Sequence, residues 1–255
     1  MDRIREFVKH LPLREMDGTL LSYEILDEAI NHKLNLNAVN NSIRFASYLH
    51  RNDIRGGGGI LPDNYINHPL RNTVRIMRYG CFQEDIIIAS ILHDTVEDHA
   101  FDIVSEFTTH DLSDIDVKSQ DGQIILAEFA LKYIQEQFGY NVSRIVNKVS
   151  NKPNQAGLSR EEQRAVYIKH VAAAITDDPE VFMVKFSDFS DNAIDLHHNV
   201  SNVDMVSHLS RKYFPLIPYF RSGIQSLSLL VYPASKNEML IQLQSGAQTL
   251  AKMLK

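Results

Sequence analysis

The chain has 255 residues, 44% of them hydrophobic, with a net charge of −6 and a pI near 6.0. That is enough apolar material for one large domain. The acidic balance excludes an electrostatic footprint for duplex nucleic acid or an anionic membrane, though not a locally held small anion.

One cysteine, Cys81, excludes an internal disulfide and reads as a reduced, buried thiol. The N-terminus, MDRIREFVKH, carries charges throughout, and no apolar run approaches the ~18 residues of a membrane span. A soluble, cytoplasmic protein without a signal peptide is expected.

Helical periodicity dominates the chain. Residues 21–34 and 38–50 read as helices, the second with apolar Ile43, Ala46 and Leu49. A loop follows from Arg55 to Asp63, with four consecutive glycines (Gly56 to Gly59) and then Pro62; glycine this dense leaves the backbone free to approach a ligand. A helix is predicted to start at His68-Pro69, because proline suits the first helical position. Another is predicted over about 84–98, with Glu84 and Asp85 complementing the dipole of its first turn. Residues 99–122 read as an irregular excursion rich in Asp, Ser and Thr. Helices are then expected at 123–137, after Tyr140, at 160–175 behind a loop with Pro153 and Gly157, and at 180–197 behind Asp177-Asp178-Pro179. The C-terminal part is expected to hold helices near 203–214, 221–229 and 236–253. The whole is predicted to be all-α, one domain over 1–255, with a core at about 38–200, an insertion at about 99–130 and C-terminal helices from about 201 to 255.

Chemistry concentrates in ILHDTVEDHA, residues 91–100. Residues four apart share a helix face, so His93 pairs with Glu97, and Asp94 with Asp98 one position around. An imidazole and three carboxylates then leave adjacent edges of one helix while Ile88, Ile91 and Leu92 point to the core. Carboxylates this close repel, and a divalent cation relieves that repulsion. A solvated helix end is the bland alternative, weakened here by the apolar run that precedes the motif. Further ligands must come from elsewhere. His68, after the glycine loop, is one candidate. Asp188 is another, because Lys185, Asp188 and Asn192 form a polar stripe on an otherwise apolar helix, which is costly unless satisfied.

The ordered set YINHPLRNTVRIM, ASILHDTVEDH, QFGYNVSRIVNKVS and VFMVKFSDFSDNAIDL resembles the RelA/SpoT-type HD hydrolase domain, and more closely the small stand-alone alarmone hydrolases. The resemblance covers roughly residues 38–200. It implies an HD-domain helical bundle with an inserted segment and a C-terminal helical extension. It also implies one Mn²⁺ held by His68, His93, Asp94 and Asp188, with Glu97 and Asp98 handling water and protons. By the same resemblance Arg55 and Asn192 contact the nucleotide, and Lys185 is placed with them. The implied reaction removes pyrophosphate from the 3′ position of guanosine tetra- or pentaphosphate, giving GDP or GTP. The implied partner is thus a small nucleotide; a homo-oligomer is left open.

The pattern also departs from the family. Gly56 stands where the family has Lys, and the loop to His68 is longer. Phe189 replaces a basic residue, and Asp191 adds an acid, so a less basic pocket is expected. The insertion after Asp98 lengthens the chain, and the stretch after residue 200 is too short for a synthetase domain, so hydrolysis alone is expected. These departures keep two alternatives open: the same chemistry on another nucleotide (a dNTP, a nucleoside monophosphate or an adenine alarmone), and a non-catalytic nucleotide sensor. His50 is read as structural and His197-His198 as a surface pair. Asp111, Asp114 and Asp116 read as solvated residues, since the glycine and terminal Glu of a calcium loop are missing.

Overall fold

The computed structural model describes residues 2–56, 62–152, 157–196, 200, 202–227 and 230–254. The expected features at Gly57 to Gly59, Pro153 and His197-His198 lie outside the described residues.

The fold is an all-α HD-domain bundle. Its elements in chain order are α1 (Asp2–Lys9), α2 (Gly18–Asn31), α3 (Leu36–Leu49), α4 (Asn67–Arg78), α5 (Glu84–Leu92), α6 (Thr95–Phe107), α7 (Gln120–Phe138), α8 (Tyr140–Val149), α9 (Arg160–Thr176) and α10 (Pro179–Phe189). Three further helices, Val203–Tyr213, Ile217–Ser226 and Pro233–Met253, complete the chain. Between α3 and α4, two short antiparallel strands, β1 (Ile54–Arg55) and β2 (Asp63–Asn64), pair Arg55 with Asp63.

α5 is the axis of the bundle, packed by α3, α4, α8 and α10. Every residue from Ile86 to Leu92 is buried, so its apolar surface runs all the way round and is not confined to the one face expected. α4 is nearly as deep, with Asn67 through Met77 buried, including the arginines Arg71 and Arg75. α10 begins at Asp178, whose carboxylate accepts from the backbone N–H of Glu180 and Val181, with Pro179 in the first turn. Phe182, Phe186 and Phe189 of α10 pack with Phe220 and fix the helix Ile217–Ser226 against it. That helix approaches so closely at Gly223 that a Cβ there would collide with the Phe182 ring.

Two departures from the expected elements shape the site. The continuous helix expected over 84–98 is two helices, with His93-Asp94 as the turn between them. The end of α5 is closed by side chains: His93 Nδ1–H donates to Ser90 O at 2.8 Å, and Thr95 Oγ1–H donates to Leu92 O at 2.7 Å. Those bonds satisfy carbonyls that a continuing helix would otherwise have used. The helix expected over 180–197 changes at Phe189 into a π-helical turn, Ser190–Ile194, in which Asp195 N–H bonds to Ser190 O at 3.0 Å. Such one-residue expansions rotate the side chains that come after them. The expected irregular stretch is also shorter, since α6 runs to Phe107 and α7 starts at Gln120.

Candidate metal centre

The α5–α6 turn, the first turn of α4 and the end of α10 bring four expected ligands together. His68 Nε2 lies 3.5 Å from Asp94 Oδ2 and 3.3 Å from Asp188 Oδ1. His93 Nε2 lies 3.2 Å from Asp94 Oδ2 and 3.8 Å from Asp188 Oδ1. His68, His93 and Asp94 form a set of donors close enough to share one ion. Both imidazoles are sealed from solvent.

Their other ring nitrogens fix the tautomers. His68 Nδ1 is 2.7 Å from Asp191 Oδ2; a carboxylate only accepts, so Nδ1 carries the proton and Nε2 keeps its lone pair. The Asn72 amide, 3.4 Å from that Nε2, is placed to donate toward it. His93 Nδ1 donates to Ser90 O, so its Nε2 likewise presents a lone pair, and that atom is buried without a hydrogen-bond partner. An orphaned buried acceptor facing two carboxylates fits a divalent ion. The chemistry of the set, two nitrogens and two oxygens, suits a borderline or first-row ion such as Mn²⁺ or Zn²⁺.

Where no ion intervenes, the carboxylates draw a proton to the His93 nitrogen that would otherwise ligate, so a divalent ion and a proton compete for that place. Burial alone would lower the His93 pKa, but Asp94 and Asp188 hold it well above the usual imidazole range. Burial alone would raise the Asp188 carboxyl, yet Lys185, His68 and His93 hold it well below the usual range. Asp94 is lowered in the same way, against burial, by His93 and His68. The protein groups alone, by burial and then the charges of Asp94 and Glu97, push Asp98 up to about 7.

The other expected site residues surround this centre. Glu97 accepts from Asn151 twice, from its backbone N–H at 2.9 Å and its side-chain amide at 3.0 Å. Glu97 and Asp98 line a cleft of about 1800 Å³ that the four converging side chains do not line. Lys152, Arg160, Arg164 and Lys212 supply positive charge along the same cleft, and Gly56 reaches its rim. Asn192 donates to Asp188 Oδ1 and accepts from Arg55, whose guanidinium also reaches Asp191 Oδ2 at 3.3 Å. Lys185 is 5% exposed, and its Nζ donates to Asp188 Oδ2 at 3.2 Å. Its ammonium therefore faces a carboxylate of the centre and not the open cleft.

Asp191 and Phe189 do not make the pocket less basic in the way their types suggest. The Asp191 carboxylate, in the π-helical turn, points inward, where it is fully buried and bonded to His68, Arg71 and Arg75, with Arg14 at 3.2 Å. Burial would raise its pKa, but His68 and those arginines hold it well below the usual range. Phe189 turns the other way, onto Tyr213 and Phe220. Sequence reasoning missed Asp191 as a partner of His68, because an acid three residues after Asp188 reads as a further charge in the pocket, and helix periodicity does not say which residue 123 positions away meets it. It also missed Tyr65, whose hydroxyl donates to Asp94 Oδ2 at 2.8 Å while its ring stacks on His50. The tyrosine stands three residues before His68, one helical turn away, which was the available signal.

Among the described residues no helix is long and apolar enough to cross a membrane. Cys81 is buried, and burial pushes its thiol up to about 11, as suits a small apolar core residue.

No family model and no curated protein sequence matches the chain. A solved structure does: that of a metazoan ortholog of SpoT, a protein that hydrolyzes ppGpp and plays a role in starvation responses. The superposition has a TM-score of 0.52 at 16% sequence identity and covers 86% of this chain and 97% of that one. The two chains share the HD-domain fold.

Proposed function

We propose that this chain is a metal-dependent phosphohydrolase that removes the 3′-pyrophosphate of guanosine tetra- or pentaphosphate, leaving GDP or GTP. The observation that carries the reading is the convergence of His68 Nε2, His93 Nε2, Asp94 Oδ2 and Asp188 Oδ1, with both Nδ1 atoms engaged elsewhere. A single divalent ion, Mn²⁺ in our assignment, would supply Lewis acidity toward a phosphoryl oxygen and a water acidic enough to attack at neutral pH.

The side chains account for the remaining steps. Glu97, held at both oxygens by Asn151, takes a proton from the attacking water. The water oxygen bonds to the phosphorus attached to the 3′-oxygen, and the bond from that phosphorus to the 3′-oxygen breaks. Asp98 returns a proton to the 3′-oxygen, so one water is consumed and pyrophosphate leaves. Arg55 and Asn192, bonded to each other at the edge of the centre, contact the nucleotide. Lys185 orients Asp188, and the basic residues along the cleft receive phosphates. A protein of the same fold hydrolyzes ppGpp, which supports this choice of substrate.

A second reading keeps the chemistry and changes the nucleotide. It rests on Gly56 at the cleft rim, where the resembling family has a Lys. One experiment separates them. Purified protein with Mn²⁺ is offered guanosine 3′,5′-bis(diphosphate), a dNTP, a nucleoside monophosphate and an adenine analogue, and products are identified by chromatography. Pyrophosphate and GDP from the first, abolished by EDTA, support the proposal. Orthophosphate, or turnover of another nucleotide alone, moves the protein to the second reading.

A further inference from the structure

The strongest feature left over lies on the far side of Tyr65. His50 ends α3, Asp53 comes three residues later, and His99 sits in α6, where a break in the helix (φ −131°, ψ 24°) turns it away from the regular path. Asp53 Oδ2 is 2.8 Å from His50 Nδ1 and 2.7 Å from His99 Nε2, and the two ring nitrogens are 3.1 Å apart. These three atoms form a nearly equilateral triangle of possible ligands. A tetrahedral ion with bonds of ~2.0–2.1 Å sets its ligands about 3.4 Å apart, so the triangle need open only by about half an ångström.

The hydrogen-bond pattern asks for a positive charge at its centre. His99 Nδ1 is 2.8 Å from Asp102 Oδ2, and a carboxylate only accepts, so that nitrogen carries the proton. In the neutral ring Nε2 then points a lone pair at Asp53 Oδ2, another acceptor. A proton on Nε2 would donate to Asp53 Oδ2, so a proton and a divalent ion compete for the same place. His50 Nε2 has no hydrogen-bond partner, so nothing there fixes the tautomer and Nδ1 is free to present its lone pair. The Asp102–His99 pair is the arrangement by which a carboxylate orients a metal-binding imidazole.

We propose that His50, Asp53 and His99 form a second divalent-cation site, oriented by Asp102 and separate from the centre at His68 and His93. Two imidazoles and one carboxylate select a transition-metal ion such as Zn²⁺ over Mg²⁺ or Ca²⁺. His50 and His99 are buried while the Asp53 side chain is 34% exposed, so the fourth position faces solvent and takes water. Such an ion ties the turn before Arg55 to the helix carrying Glu97 and Asp98, because Asp53 precedes Arg55 by two residues and His99 comes directly after Asp98. Its role is to hold those two segments in register.

The test is stoichiometry, read on full-length protein stripped with chelator and titrated with Zn²⁺ or Co²⁺ by calorimetry and elemental analysis. The expected result is two ions in the wild type and one in H50A/H99A. A variant with the first centre dismantled, H93A/D94A, should keep one ion, and combining all four changes should leave none. Circular dichroism checks that each variant is helical. D102N keeps all three ligands and should weaken the second ion ~10–100-fold. Equal stoichiometry in wild type and H50A/H99A, or no effect of D102N on either binding step, overturns the proposal and leaves the triad a hydrogen-bonded network. Loss of turnover against nucleotides would bear on the first centre only, because binding here is read without substrate.

Discussion

The imidazole of His68 and the carboxylate of Asp191 are joined at 2.7 Å in a region closed to solvent, although 123 residues separate them. His68 faces the candidate metal with one nitrogen and Asp191 with the other. The carboxylate is in turn surrounded by Arg71, Arg75, Arg55 and Arg14. A charge placed this way both orients a ligand and neutralises buried guanidinium groups, so its removal has two separable effects.

Asp191→Asn should therefore lose stability and ion affinity together. Leaving buried arginines without their carboxylate costs about 3–5 kcal/mol, to be read as a lower urea midpoint. Removal of the partner of His68 should weaken the first ion ~10–100-fold, read by calorimetry. A variant with unchanged stability would mean that the arginines find other acceptors and that the buried pairing argument is wrong.

Glu97→Gln should bind the ion as wild type does and turn over nucleotide ~10²–10⁴-fold more slowly. The substitution keeps the size of the side chain and one oxygen for Asn151. Wild-type rates in this variant would remove Glu97 from its assigned role.

Tyr65→Phe should keep the ring against His50 while removing the hydroxyl that donates to Asp94 Oδ2. We expect a ~10-fold loss of ion affinity at the first centre with helicity unchanged. A loss confined to the second site would instead assign the tyrosine to packing on His50.

The Asp178 carboxylate caps α10 and accepts from Lys148 at 2.8 Å and from Arg144. Burial would raise its pKa, but Lys148, the Val181 N–H and Arg144 hold it below the usual carboxylate value. A folded-state value below the unfolded one gives stability that is present above pH ~3.9 and is lost as pH falls through the folded value. Asp178→Asn should lower the melting temperature at pH 7, with about 1 kcal/mol from the cap alone. The gap to wild type should close below that pH. A gap independent of pH would leave only the cap.

How much of the molecule is legible in its sequence depends on the length scale. The all-helical class follows from periodicity, and the HD turn, the His-Pro step and the Asp188 stripe stand out because polar residues interrupt apolar runs. The break at His93-Asp94 is not legible. No Gly or Pro marks it, and it is made by side chains that take the carbonyls of α5. The pairing of Asp191 with His68 is hidden for another reason. A 3.6-residue pattern puts Asp191 on the face of Asp188, three residues on, but says nothing of an imidazole 123 positions earlier in the chain. The triad of His50, Asp53 and His99 joins residues 46 and 49 positions apart, so helix periodicity says nothing about it.

The π-helical turn after Phe189 works as a spacer of one residue. Deleting any single position within Ser190–Ile194 would let the backbone relax into an ordinary helix, with the segment beyond it left in place and the register of the turn itself shifted by one. Asp188 would keep its place while the residues of the turn, Asp191 among them, were displaced from their arginine partners. A chain could thus retain each acid and imidazole of the first centre and still lose the carboxylate that orients His68.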